Sequence, residues 1–323
     1  MKRFYEPDSR WEMHQINNNE DYAKKLVITG YFHDQVPEDV IKAYETVEYL
    51  MAHAYYYWPM FDEAFNKMLF TIEMGIKLKA KQLNIPIYRR KENGERWYRR
   101  LSLIIDDICD EDYLRDLKKK LERSAGLRDM KAHPKQNSFS GPSGGTHRNI
   151  KYCINILNRL FRGREWHKQQ QKKIVKAKES ITNLKNELLV VESGERGEVI
   201  RSILDFDIID EALFVVCLPV LDVRKLEAKS NQFPHLKSFS ILDYQFLNDK
   251  VIGRTLDGND IKISLTNDKE VRNAYSRFKK YLKEIPEEEM KINLNINAIE
   301  TPWFLSNAEY QYLNESDFFS KYS

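Results

Sequence analysis

Arg128 and His133 stand with four residues between them in the run Leu127-Arg128-Asp129-Met130-Lys131-Ala132-His133-Pro134. An arginine offers a planar, permanently charged fork that matches a phosphate in two places. A histidine offers an acid or base near neutrality. Cleavage of RNA by its own 2′-hydroxyl needs these functions: a base for the 2′ proton, a cation for the crowded phosphate and an acid for the leaving 5′-oxygen. One Arg and one His supply half the set, and two copies across a two-fold axis supply all of it. The bland reading is an interface arginine beside a surface histidine.

The elements around the pair bear on that choice. Leu114, Leu117, Leu121 and Ala125 recur at helical spacing, and the same stripe continues through Arg128 to Ala132. An arginine on a core-facing stripe is costly without a partner. On a regular helix five residues turn through roughly 140° and rise about 7.5 Å, which separates Arg128 from His133. Pro134 disfavours helical geometry at His133 and can swing the imidazole back. Asp129, four residues before His133, can hold the ring in one tautomer.

Upstream, Val40, Tyr44, Val47, Met51, Ala54 and Trp58 mark one helix face, and Phe61, Phe65, Met68, Ile72 and Ile76 mark a second after Pro59. Leu101, Ile104, Ile105 and Ile108 suit a third helix, and about 112–133 a fourth. Thr146 is a plausible N-cap for a fifth, with Ile150, Cys153, Ile154, Leu157 and Phe161.

Residues 37–164 resemble the HEPN domain on the Arg128-x4-His133 motif, the helix end at Pro134, the Gly/Ser loop that follows and the last Ile/Leu-rich helix. The second motif position, more often Asn in that family, is Asp129 here. The resemblance implies a homodimeric, metal-independent endoribonuclease without cofactor, with Arg128, His133 and Asp129 at the site and a role in phage defence or as a toxin. It also implies that Glu73 pairs with the motif arginine; the bland alternative is a solvated helix glutamate. The rival function is a non-catalytic HEPN module that binds a partner or nucleotide.

Other residues have two readings each. His147 and Arg148 open the last helix and could reach the same cleft. Arg89, Arg90, Lys91, Arg96, Arg99 and Arg100, interleaved with Tyr88, Trp97 and Tyr98, could bind RNA phosphates and stack bases, or form a solvated charged turn. Ser140 to Gly145 lacks the Lys-Ser/Thr ending of a P-loop and reads as a flexible loop.

The whole chain of 323 residues divides, on this reading, into a lead-in (1–36), the helical bundle (37–164), a basic helical connector (165–196), a small α+β domain (197–300) and an aromatic tail (301–323). The overall class is α+β. In the C-terminal part 214–220, 239–246, 251–255 and 261–265 suit strands, with a hairpin signal at Asp257-Gly258-Asn259. Residues 268–284 suit a helix, and the alternation in 291–297 suits a half-exposed strand. This domain is expected to sense, to contact an inhibitor or partner, or to help hold RNA.

The net charge of +3 does not by itself argue for nucleic acid. Cys109, Cys153 and Cys217 have no disulfide or zinc spacing, which suits a reducing compartment. No metal site is expected. The first residues lack a signal-peptide pattern, and no run approaches the roughly 20 apolar residues of a membrane span. A cytoplasmic protein without membrane contact is expected.

Overall fold

The computed structural model describes residues 5–90, 94–132, 141–142, 145–194, 196–223 and 236–315. It is a mixed helix and strand structure, α+β overall. The described residues form two compact units, one within residues 5–167 and the other within 168–315.

In the first unit, short helix α1 (Asn19–Leu26) precedes α2 (Glu38–His53), α3 (Met60–Gln82), α4 (Leu101–Cys109), α5 (Lys118–Ala132) and α6 (Thr146–Phe161). Asn18 caps α1 by accepting the Asp21 N–H at 2.8 Å. Helix α3 is central and packs on α2, α4, α5 and α6. Gly75 lets α6 come close, since a Cβ there would lie 2.5 Å from Leu157. The lead-in belongs to this core: Trp11, Tyr22, Ile28, His33 and Val36 are buried. Trp11 donates its indole N–H to the Tyr55 carbonyl at 2.9 Å.

Three expectations change here. Helix α2 stops at His53, and buried Trp58 lies in the turn before Pro59, the residue ahead of α3. Gly145, in left-handed geometry, precedes α6, so Thr146 is its first residue and not its N-cap. The unit is not all helical. Strands β1 (Tyr88–Arg90) and β2 (Arg96–Tyr98) pair as an antiparallel hairpin where a charged turn was expected. Tyr88, Trp97 and Tyr98 favour extended backbone, and the directly opposed Tyr88 and Tyr98 contact each other across it.

Helix α7 (Arg164–Leu184) starts in the first unit and continues in the second. The connector then ends in a strand rather than a helix. β3 (Leu189–Ser193), β4 (Arg196–Ile209), β5 (Ala212–Pro219), β6 (Lys237–Leu247), β7 (Lys250–Arg254) and β8 (Asp260–Leu265) form an antiparallel meander that closes, β3 on β8, into a barrel. Leu189, Val191, Leu213, Val215, Cys217, Ile261 and Ile263 fill the interior with Ala177, Ile181 and Leu184 of α7. β5 is buried along its whole length. Its outer residues Phe214 and Val216 are covered from α9, by Tyr312 and Phe304.

Helices α8 (Lys269–Glu284) and α9 (Glu287–Glu315) complete this unit. Asp268 caps α8 by accepting the N–H groups of Glu270 and Val271 at 2.8 and 2.9 Å. The strand expected at 291–297 is helical instead, with Ile292, Leu294 and Ile296 exposed. Closure of the barrel consumes its strand edges, so a further strand has no ladder to join. The aromatic tail, as far as Glu315, continues this helix on the barrel. Among the described residues no helix is long and apolar enough to cross a membrane.

Candidate functional site

Helix α5 places Leu121 and Ser124 in the core and leaves Arg128 at the rim, its side chain 32% exposed. The 3.6-residue period accounts for this: from Leu117 through Leu121 the buried line passes to Ser124, not Ala125. The Ser124 hydroxyl is satisfied by the Lys120 carbonyl at 3.0 Å. Arg128 therefore borders the core without lying in it.

Two carboxylates hold Arg128. Its Nε is 3.0 Å from Oε2 of Glu73 on α3, and its Nη1 donates to Oδ1 of Asp129 at 2.8 Å. The Nε–H is not aligned for a hydrogen bond to Glu73, so that contact is an ion pair. Glu73 is thus engaged and not simply solvated. Its other oxygen accepts from Lys77 Nζ at 2.5 Å. The Lys77 ammonium lies 4.6 Å over the Tyr98 ring, and the Tyr98 and Tyr88 rings sit 4.5 Å apart with their hydroxyls 3.0 Å from each other. Arginine, carboxylate, lysine and two tyrosines make one continuous chain of contacts from α5 across α3 to the hairpin.

A groove of about 410 Å³ runs along this chain, lined also by Phe70, Met74 and Lys81 of α3 and by Ile87. These α3 residues share its outer stripe, where Phe70 is 58% exposed. Sequence reading missed Phe70, Lys77 and Lys81. The available signal was Phe70 at the i, i+3, i+7 and i+11 spacing of Glu73, Lys77 and Lys81, an aromatic residue on a charged stripe.

The other expected site residues are dispersed. His133 and Lys91 lie outside the described residues. Asp129 turns its carboxylate to Arg128. The His147 ring stacks on Phe61, with centroids 6.5 Å apart, and burial lowers its pKa to about 4. Phe61 precedes Glu73 by twelve residues, about 18 Å along α3, so His147 does not join Arg128 within one chain. Arg148 is exposed on the first turn of α6.

Within the basic run, Arg99 is structural. It is 12% exposed, pairs with Asp107 at 2.7 Å and donates to the Pro86 carbonyl at 2.7 Å, which ties the hairpin to α4. Arg100 is exposed just before α4. Arg89, Arg90, Arg96 and Trp97 are exposed on the hairpin, where Arg89 opposes Trp97 and Arg90 opposes Arg96. By strand alternation Arg90 and Arg96 share a face with Tyr88 and Tyr98, and Arg89 and Trp97 take the other.

Among the described residues no group of three or more His, Cys, Asp or Glu is placed to hold a metal ion. The groove chemistry is cationic and aromatic, with one carboxylate at its centre. Such a surface can take a phosphate and a flat ring together. No family model, curated protein or solved structure matches this chain.

Proposed function

We propose that this protein is a metal-independent endoribonuclease of the HEPN type that acts as a homodimer. Arg128 stabilises charge on the scissile phosphate, and His133 moves protons to and from the 2′ and 5′ oxygens. In this scheme the 2′-oxygen bonds to phosphorus as the 5′-oxygen leaves with a proton, giving a 2′,3′-cyclic phosphate. A role in phage defence or as a toxin belongs to the same proposal, as does a sensor or inhibitor contact through the barrel unit. The observation that supports the reading is Arg128 itself, held by Glu73 at the mouth of a groove lined with cations and aromatic rings.

One observation favours a second reading, a non-catalytic binding module. Arg128 already has Glu73 and Asp129 as counter-charges, as an arginine that only staples α5 to α3 would have.

The test compares wild type with His133→Ala and Arg128→Lys, each shown to be folded, on total RNA and labelled single strands in EDTA. Cleavage by wild type alone, with cyclic phosphate ends, is expected. Equal cutting by wild type and His133→Ala, or none by any of them, would move the assignment to the binding module.

A further inference from the structure

We propose that the groove between α3 and the β1–β2 hairpin is a nucleobase-stacking subsite for a single strand of nucleic acid. Tyr98, Tyr88 and Phe70 take an unpaired base, and Arg90, Arg96 and Lys81 take the flanking phosphates. The proposal rests on the RNA-cleaving reading and deepens it, because it lays the strand beside Arg128.

Three observations carry it. First, the aromatic rings at the groove are open to solvent: Phe70 is 58% exposed, Tyr98 62% and Tyr88 39%. Aromatic rings exposed beside lysine and arginine are the usual platform for single strands, since every base has a π face. Second, Arg90 and Arg96 are directly opposed across the hairpin, on the face that carries the tyrosines. Like charges in that position are destabilising, and a phosphate between them removes the repulsion and accepts from both forks. Third, the rings border an open groove of about 410 Å³ that Lys77, Lys81 and Arg128 also line, so a base and its phosphate can lie along it together.

The same geometry selects against a duplex, where neighbouring bases already cover both faces of each ring. The Lys77 ammonium lies over Tyr98. It stays paired with Glu73 there and adds positive charge beside the incoming phosphate. Glu73 does not repel the strand, because Lys77 and Arg128 neutralise it.

The experiment uses the full chain and a 2′-deoxy single strand carrying one 2-aminopurine. Without a 2′-hydroxyl the strand cannot be cut by the proposed chemistry, so binding is read apart from cleavage. Wild type is expected to bind it and quench the fluorescent base. Tyr98→Ala is expected to weaken binding by about 5- to 150-fold, the range for loss of one stacked base, and to lose the quench. Tyr98→Phe keeps both. Phe70→Ala, on the outer face of α3, is a second probe that leaves the hairpin pair intact. Arg96→Ala is expected to lower the salt dependence of binding by roughly one phosphate. The same strand in a duplex is expected to bind weakly and without quench.

The proposal is overturned if wild type binds no single strand at low salt, or if Tyr98→Ala and Phe70→Ala bind as wild type does. Cleavage of RNA by wild type with unchanged cleavage and binding in both variants overturns the subsite alone. Binding with the expected losses, but no RNA cleavage, overturns the nuclease reading and keeps the subsite.

Discussion

Two buried histidines, His33 and His167, and the partly buried His147 make the helical unit acid-sensitive before any carboxylate is involved. His33, His147 and His167 each have their pKa lowered to about 4, and burial is the largest cause in all three. His33 shows why the neutral form fits. Its Nε2 is 2.8 Å from the Asn158 carbonyl, and its Nδ1 accepts the Gln35 N–H at 3.1 Å, so a second ring proton would break the latter bond. At His167 the Nε2 is buried without a hydrogen-bond partner, and Lys79, Arg159 and Arg162 add positive charge nearby. Lys151 does the same for His147.

In the unfolded chain a histidine titrates near 6.5. Between that value and about 4 the unfolded state therefore binds more protons than the native state. Stability rises with pH across this window and is lost as pH falls through it. At about pH 5.5 each histidine costs the fold about 1.4 kcal/mol relative to about pH 8, and the three together cost about 4 kcal/mol. For a unit of this size that is a fall of about 8–16 °C in Tm. Glu48, whose carboxyl is raised by burial, works in the opposite sense and trims the fall. The assay is thermal unfolding by circular dichroism at constant ionic strength, for wild type and His147→Phe, which should lose about a third of the pH dependence. A Tm that does not move between the two pH values refutes the reasoning. So does a His147→Phe variant with the full wild-type slope.

Other predictions concern single contacts. Gly141→Ala is expected to cost roughly 2 kcal/mol, measured by urea unfolding, because the residue has φ +58° and a Cβ would lie 2.2 Å from the Trp58 ring. Gly253→Ala should destabilise the barrel by a similar amount, roughly 1–3 kcal/mol, since its Cβ meets Ile241 and the Leu242 carbonyl at 2.5 Å. Arg99→Ala should loosen the hairpin from α4, seen as faster amide exchange at 88–98 with little change in α2, and unchanged exchange there would show the Asp107 pair to be dispensable. The cysteines should resist thiol reagents in the native protein, because all three are buried and burial raises Cys109 to about 11 and Cys153 to about 12. Rapid labelling at neutral pH would contradict that.

Much of the secondary structure is legible along the chain. Periodicity places α2 through α6, and the Asp257-Gly258 turn marks the β7–β8 hairpin. The run Asn17-Asn18-Asn19 reads as a turn or an N-cap, and Asn18 caps α1. Glu73 was open between an arginine partner and a solvated residue, and the ion pair with Arg128 decides it. The errors share a cause, which is that local pattern does not show what an element will meet. Residues 291–297 alternate like a strand, but a closed barrel offers no edge. Arg99 and Arg96 look alike in the sequence, yet Arg99 is fastened to Asp107 and Arg96 lies open on the hairpin.

Residue types and spacing alone placed Arg128 and His133 four residues apart and gave a helical first half, a strand-rich second half and cysteines without disulfide spacing. Those properties depend on neighbours within a few residues, and the chain carries them whatever it folds into. Tertiary structure decided that the strands close into a barrel, that His147 stacks on Phe61 and that Arg128 sits at a rim. It also brought Phe70, Lys77, Tyr88 and Tyr98 to one groove with that arginine. Each of these depends on contacts between segments far apart in sequence, and no local periodicity encodes which segments will meet.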